Sequence, residues 1–171
     1  PSLQLVQGEP AGPQQQPAPL ALLVAGGALC NDASLTRDNE ASGRFHTIGD
    51  PTEGALVVAA AHFGLWKAEL DQALPRVAEL PFDSERKRMT TVHQLAGKQW
   101  PQAGSNSTLS AAFNQLVTFL SHPAYLAFTK GSVDGLLEFT SHVWVDDHLD
   151  PLSPTWRSRI EQANEPMAKN G

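Results

Sequence analysis

The side chains here that could do chemistry are few and scattered. Six histidines stand at positions 46, 62, 93, 122, 142 and 148. None lies in a His-Glu-x-x-His run or beside paired cysteines, the spacings that build a zinc site. Cys30 is the only cysteine, so no internal disulfide forms, which fits a reducing compartment. There is no Gly-x-x-x-x-Gly-Lys-Ser/Thr loop to cradle phosphates and no Gly-x-Gly-x-x-Gly turn. No nucleophile and base stand at a spacing that marks a soluble hydrolase. Three short segments remain that gather carboxylate, aromatic and lysine side chains: Gly49 to Leu56, Pro81 to Thr91, and Phe128 to Ser132. Taken singly, each has a structural reading: a helix cap, a charged hairpin, and a strand end meeting a helix.

The elements that must position these segments follow from patterning. Asp50, Pro51 and Glu53 fall at the N-cap, first and third helical positions, a capping-box spacing. They predict a helix to about His62 that stops at Gly64, followed by a short helix over Leu65 to Ala73. Arg76–Phe82 and Lys87–Gln94 read as strands joined by the polar turn Asp83–Arg86, a hairpin. Tyr125–Lys130 reads as a strand, Ser132 as the cap of a helix through Phe139, and His142–Val145 as another strand. Upstream, Ser2–Gln7 suits an edge strand and Glu9–Ala18 a flexible loop. Pro19–Cys30 suits a buried helix, Asn31–Gly43 a polar loop, and Arg44–Ile48 a short strand. The stretch 96–123 reads as a surface insertion holding a helix over Leu109–Leu120. Ser153-Pro154 opens a last helix with Trp156, Ile160, Ala163 and Met167 on one face, which Pro166 should kink or break. Hairpins mixed with helices give an α+β class, an antiparallel β-sheet flanked by helices.

The 171 residues suit a single domain with a real core. Hydrophobic residues make up 41% and charged residues 18%, ordinary for a globular chain. A net charge of -6 with no basic stripe argues against a nucleic-acid partner. Leu20–Cys30, the longest apolar run, is short and interrupted by glycine, so it suits a core helix and not a membrane span. No charged n-region marks a signal peptide. Direct membrane contact is not expected of this domain.

Order and wording add what the single segments lack. Gly-Asp-Pro-Thr-Glu-Gly-Ala-Leu, then Leu-Pro-Phe-Asp-Ser-Glu-Arg-Lys-Arg-Met-Thr, then Phe-Thr-Lys-Gly-Ser resembles the nucleotide-binding (N) domain of type II P-type cation-transporting ATPases, the calcium-pump-like transporters. Ala28-Leu29-Cys30-Asn31-Asp32 and Met167-Ala168-Lys169-Asn170-Gly171 resemble the same family, so the likeness covers residues 20–171 in order.

The resemblance implies roles. Phe82 is similar to the aromatic that stacks on adenine, and Glu53 to the acid that accepts a hydrogen bond from the adenine amino group. Lys87 and Lys130 match pocket lysines that offset the charge of the triphosphate. Gly131 lets backbone approach the ligand, and Met89 lines the pocket. Asp50 and Thr52 rank lower, as cap and supporting groups. Ser84 stands where many calcium pumps have arginine, so Arg86 becomes the candidate replacement. Lys130-Gly131-Ser132-Val133-Asp134 keeps only the first two residues of the family's Lys-Gly-Ala-Pro-Glu. The implied ligand is ATP, with Mg²⁺ held mostly by the phosphorylation domain. The implied partners are the phosphorylation and actuator domains of the same parent chain, and the setting is the cytoplasmic side of an integral membrane pump. The phosphorylated aspartate's Asp-Lys-Thr-Gly-Thr motif is absent from this sequence, so ATP binding without appreciable hydrolysis is expected. The alternative is a scaffold module that keeps the fold without binding nucleotide.

Overall fold

The computed structural model describes residues 17–37, 45–95 and 107–170. The expected strand Ser2–Gln7, nearly all of the Glu9–Ala18 loop, part of the Asn31–Gly43 loop and residues 96–106 of the insertion lie outside them. In chain order the elements are α1 (Ala18–Leu29), β1 (Ser34–Arg37), β2 (Phe45–Ile48), α2 (Pro51–His62), α3 (Lys67–Ala73), β3 (Arg76–Asp83) and β4 (Arg88–Gln94), then α4 (Ser107–Phe119), β5 (Tyr125–Gly131), α5 (Val133–Leu137), β6 (His142–Val145), β7 (His148–Pro151) and α6 (Pro154–Asn170). The architecture is α+β: β3-β4-β5 form a three-stranded antiparallel sheet, with two-stranded sheets β1-β2 and β6-β7 beside it.

α1 is apolar on all sides, yet only one side is buried and Leu23 is 71% exposed. It packs on α2, α3, α4 and β5. Its Ala21, Ala25, Ala28 and Leu29 join Ala60, Leu65, Leu70, Leu74, Leu109, Phe113 and Leu126 in one core. The sheet closes this core with one face of β4. Met89, Thr91 and His93 alternate as buried residues, as the two-residue period of a strand demands. The polar pair among them is satisfied internally. His93 Nδ1 lies 2.7 Å from the Leu74 carbonyl and Nε2 lies 2.9 Å from Thr91 Oγ1. A carbonyl only accepts, so Nδ1 carries the proton and the Thr91 hydroxyl donates to Nε2 of the neutral ring.

Several sequence expectations are corrected. The polar stretch after α1 contains β1, whose four residues Ser-Leu-Thr-Arg carry one apolar side chain and owe their strand to pairing with β2, from Ser34↔Ile48 to Arg37↔Phe45. β7 was not expected. Its His-Leu-Asp-Pro sequence has no strand pattern, and a two-residue turn at Asp146 and Asp147 folds it onto β6. The 96–123 stretch is no mere surface insertion, because α4 buries Leu109, Ala112 and Phe113 and packs on α1. α3 starts at Lys67 rather than Leu65, and α5 ends at Leu137 rather than Phe139.

α6 continues through Pro166. A proline removes one intrahelical donor, here the partner of the Gln162 carbonyl, and this turn is exposed, so that carbonyl is open to solvent. Only the first part of its expected apolar face is covered: Trp156 and Ile160 are half-buried, whereas Ala163 is exposed and Met167 is 72% exposed.

Candidate functional site

The three segments meet at one end of the β3-β4-β5 sheet. The start of α2 supplies the first. Gly49 has φ of 118°, a region L side chains rarely adopt, and this turns the chain from β2 into the cap. Asp50 Oδ1 then accepts from the N–H groups of Thr52 at 2.8 Å and Glu53 at 3.2 Å. Chiefly the Glu53 N–H, then that of Thr52, and to a lesser extent the field of Lys130, hold the Asp50 carboxyl below its ordinary pKa. The capping box is one-sided, because both oxygens of Glu53 are engaged away from the helix start. Oε1 meets Lys130 Nζ at 2.5 Å and Oε2 accepts from Asp32 N–H at 3.2 Å.

That Glu53–Lys130 contact is the centre of the site. Its side chains are 20% and 23% exposed, sheltered enough for a charge-assisted bond to be strong and open enough for a ligand to reach. Lys130 lies opposite Met89 in the β4–β5 register. Met89 is 1% exposed, so it forms a buried floor under this corner and not an open wall.

Gly131 lies opposite Arg88. A Cβ there would sit 2.4 Å from the Lys87 carbonyl oxygen and 2.7 Å from Arg88 Cβ. The glycine is therefore needed for contact between strands, whatever a ligand requires. Ser132 N–H donates to the same Lys87 oxygen at 3.2 Å. Lys87 itself has φ of 51°, and its side chain is exposed.

The hairpin end carries the rest. Asp83 pairs with Arg88 across a bulge that includes Pro81 and Phe82, and bulges re-aim side chains. Phe82 is 63% exposed, an unusual state for a strand phenylalanine. Ser84 is exposed on the turn. Arg86 folds back, donating Nη2 to the Pro81 carbonyl at 2.9 Å with Nε 3.7 Å from Asp83. Its guanidinium braces the turn instead of reaching out in place of an arginine at position 84.

Sequence reasoning gave no role to three residues joined to this corner. Asn31 Nδ2 donates to the Glu53 carbonyl at 2.9 Å, Asp32 N–H holds Glu53 Oε2, and Arg76 Nη1 reaches Asp32 Oδ1 at 2.7 Å. The family-like wording of Ala28 to Asp32 was the available signal, but nothing in it points to Glu53 twenty-two residues on.

A half-sheltered carboxylate–ammonium pair, an exposed aromatic ring and a second exposed lysine at one sheet end suit a flat, amino-bearing, anionic ligand. The chain belongs to the P-type ATPase cytoplasmic N-domain family, whose model matches residues 20–171. It is 30% identical over 148 residues to Calcium-transporting ATPase 1 of Bacillus cereus, covering 86% of this chain and 13% of that protein. It is 30% identical over 145 residues to Cation-transporting ATPase pma1 of Synechocystis, covering 85% and 12%. A 68-residue stretch, 40% of this chain and 7% of its counterpart, is 48% identical to Probable cation-transporting ATPase F of Mycobacterium tuberculosis. The chain thus spans about an eighth of the length of the Bacillus cereus and Synechocystis relatives. Among the described residues no helix is long and apolar enough to cross a membrane.

Proposed function

We propose that this chain is the ATP-holding domain of a calcium-pump-like cation transporter, gripping adenine and presenting the γ-phosphate to an aspartate in a separate domain. The observation that carries this is the Glu53–Lys130 pair at the sheet end that also carries exposed Phe82, in a chain of this family. Phe82 gives the base a flat apolar partner, and Glu53 accepts from its exocyclic amino group. Because Lys130 lies 2.5 Å from Glu53, it belongs at the base end of the ligand. Lys87, on the exposed turn, is the better placed cation for the phosphates. Asp50 and Thr52 hold the start of α2, and Gly131 keeps β4 and β5 in contact.

Among the described residues no group of three or more His, Cys, Asp or Glu side chains could hold a metal. In the proposed reading the Mg²⁺ that travels with ATP is held mostly by the phosphates and the phosphorylation domain. The parent is a membrane pump that forms an aspartyl-phosphate, with this domain on its cytoplasmic side. Adenine binding here drives the closure that carries the phosphate across.

An NMR titration of the labelled chain with ATP, AMP and GTP, alongside Phe82→Ala, tests the reading. ATP and AMP should shift Glu53, Phe82, Met89 and Lys130 in the native chain and leave the variant unmoved. No shift at millimolar ATP overturns it.

A further inference from the structure

Glu53 is a flexible side chain on the first turn of a helix: Lys130 holds its Oε1, the Asp32 N–H holds its Oε2, and Asn31 and Arg76 fix the peptide and backbone behind that second contact. Asn31 is fully buried, and its amide is saturated. Oδ1 accepts from Ala33 N–H at 2.8 Å, while Nδ2 donates to the Glu53 carbonyl at 2.9 Å and to the Gly27 carbonyl at 3.4 Å. Flipping the amide would set Oδ1 against two carbonyls and Nδ2 against an N–H, so one orientation is fixed. The peptide joining Asn31 to Asp32 is gripped from both sides. Its carbonyl accepts from Arg76 Nη2 at 2.6 Å, and its N–H donates to Glu53 Oε2 at 3.2 Å. These groups belong to one planar unit, so a pull on the oxygen aims the N–H. Arg76 completes the grip with Nη1, 2.7 Å from both Asp32 Oδ1 and Glu79 Oε2. The planar fork of a guanidinium presents these bonds from two nitrogens in fixed geometry, which the single nitrogen of an ammonium does not reproduce.

We infer that Asn31 and Arg76 are positioning residues that set base selectivity by fixing the Glu53 carboxylate; this rests on the reading of Glu53 as the acceptor for the base. Adenine presents an amino donor where guanine presents a carbonyl acceptor. A carboxylate held in place rewards the first and repels the second. A carboxylate held at Oε1 by Lys130 alone can turn Oε2 away from the guanine carbonyl and loses part of the distinction.

The test compares ATP, GTP and inorganic tripolyphosphate binding to the 171-residue chain by NMR titration, for the native sequence, Arg76→Gln, Arg76→Lys, Asn31→Asp and Glu53→Gln. Arg76 sits at the surface end of the network, so Arg76→Gln should keep the fold even if Asn31→Asp does not. Its ATP-over-GTP preference should fall roughly five-fold, the worth of about one net hydrogen bond. Tripolyphosphate affinity should not change, and Arg76→Lys should restore only part of the preference. A native ratio in folded Arg76→Gln overturns the inference and leaves the adenine reading standing. A native ratio in Glu53→Gln overturns the reading itself, and the brace with it.

Discussion

Lys130 cannot serve both ends of a nucleotide. Its ammonium is 2.5 Å from Glu53, and a triphosphate tail leads away from the base that Glu53 would read. Lys130→Met should therefore weaken ATP and AMP by the same factor, which calorimetry on both ligands would check; a loss confined to ATP would move Lys130 to the phosphates. The variant should also lose about 1 kcal/mol of stability, well below the figure for fully buried pairs, because water reaches both partners. Phe82 makes the opposite case. Its ring is 63% exposed, so Phe82→Ala should leave the melting temperature almost unchanged. It should cost about ten-fold in ATP affinity, the scale of base stacking on an aromatic. His93 has no ligand role, but it sets an acid limit. Burial lowers its pKa below 6.5, against a smaller upward pull from the Leu74 carbonyl. The unfolded chain then binds the proton more readily, so His93 contributes stability above about pH 6.5 that is lost as pH falls through its folded value. His93→Gln should flatten that segment of a denaturation-against-pH curve; an unchanged slope would show that the folded ring takes up its proton as readily as the unfolded one.

At the scale of elements, the hairpin and the start of α2 were legible because local rules fix them. Asp50, Pro51 and Gly64 bound one helix, and the turn between β3 and β4 is polar and short. β1 and β7 were not legible, since each is four residues long and owes its form to its partner. α4 was misplaced at the surface because its core contacts come from α1, far back in the sequence. The same division holds for the site. Glu53, Phe82, Lys87 and Lys130 are candidates by wording. Asn31 and Arg76 are not, because a carbonyl accepting from a distant guanidinium leaves no local pattern. Gly131 shows how one position carries a whole element: its Cβ would meet the Lys87 carbonyl oxygen, just ahead of β4, at 2.4 Å, a clash that no side-chain rotation relieves. Gly131→Ala should push β5 from β4 and cost about 1–3 kcal/mol, as overpacking does. A denaturant midpoint equal to the native chain's would show that the strands separate freely there.

Taken whole, the proposed site would give a nucleotide a better seat for its base than for its phosphates. The chain carries a net charge of -6, so the field that a triphosphate meets at long range is repulsive. Near the site, Lys130 is already matched by Glu53 and Arg86 is turned back onto Pro81. That leaves Lys87 as the exposed cation among the residues proposed to bind. Phosphoryl transfer needs metal, an in-line acceptor and cations arrayed around the moving group, and the acceptor motif is not in this sequence. Two consequences can be measured together. ATP, ADP and AMP should bind within about ten-fold of one another, in the micromolar to millimolar range, because two phosphates add little more than the screened attraction of one lysine. Phosphate release from ATP should stay at the rate of buffer alone, with or without Mg²⁺. A nanomolar Kd for ATP, or AMP binding far more weakly than ATP, would mean that this chain grips the phosphates itself. The division of labour proposed between this domain and the one bearing the aspartate would then have to be redrawn.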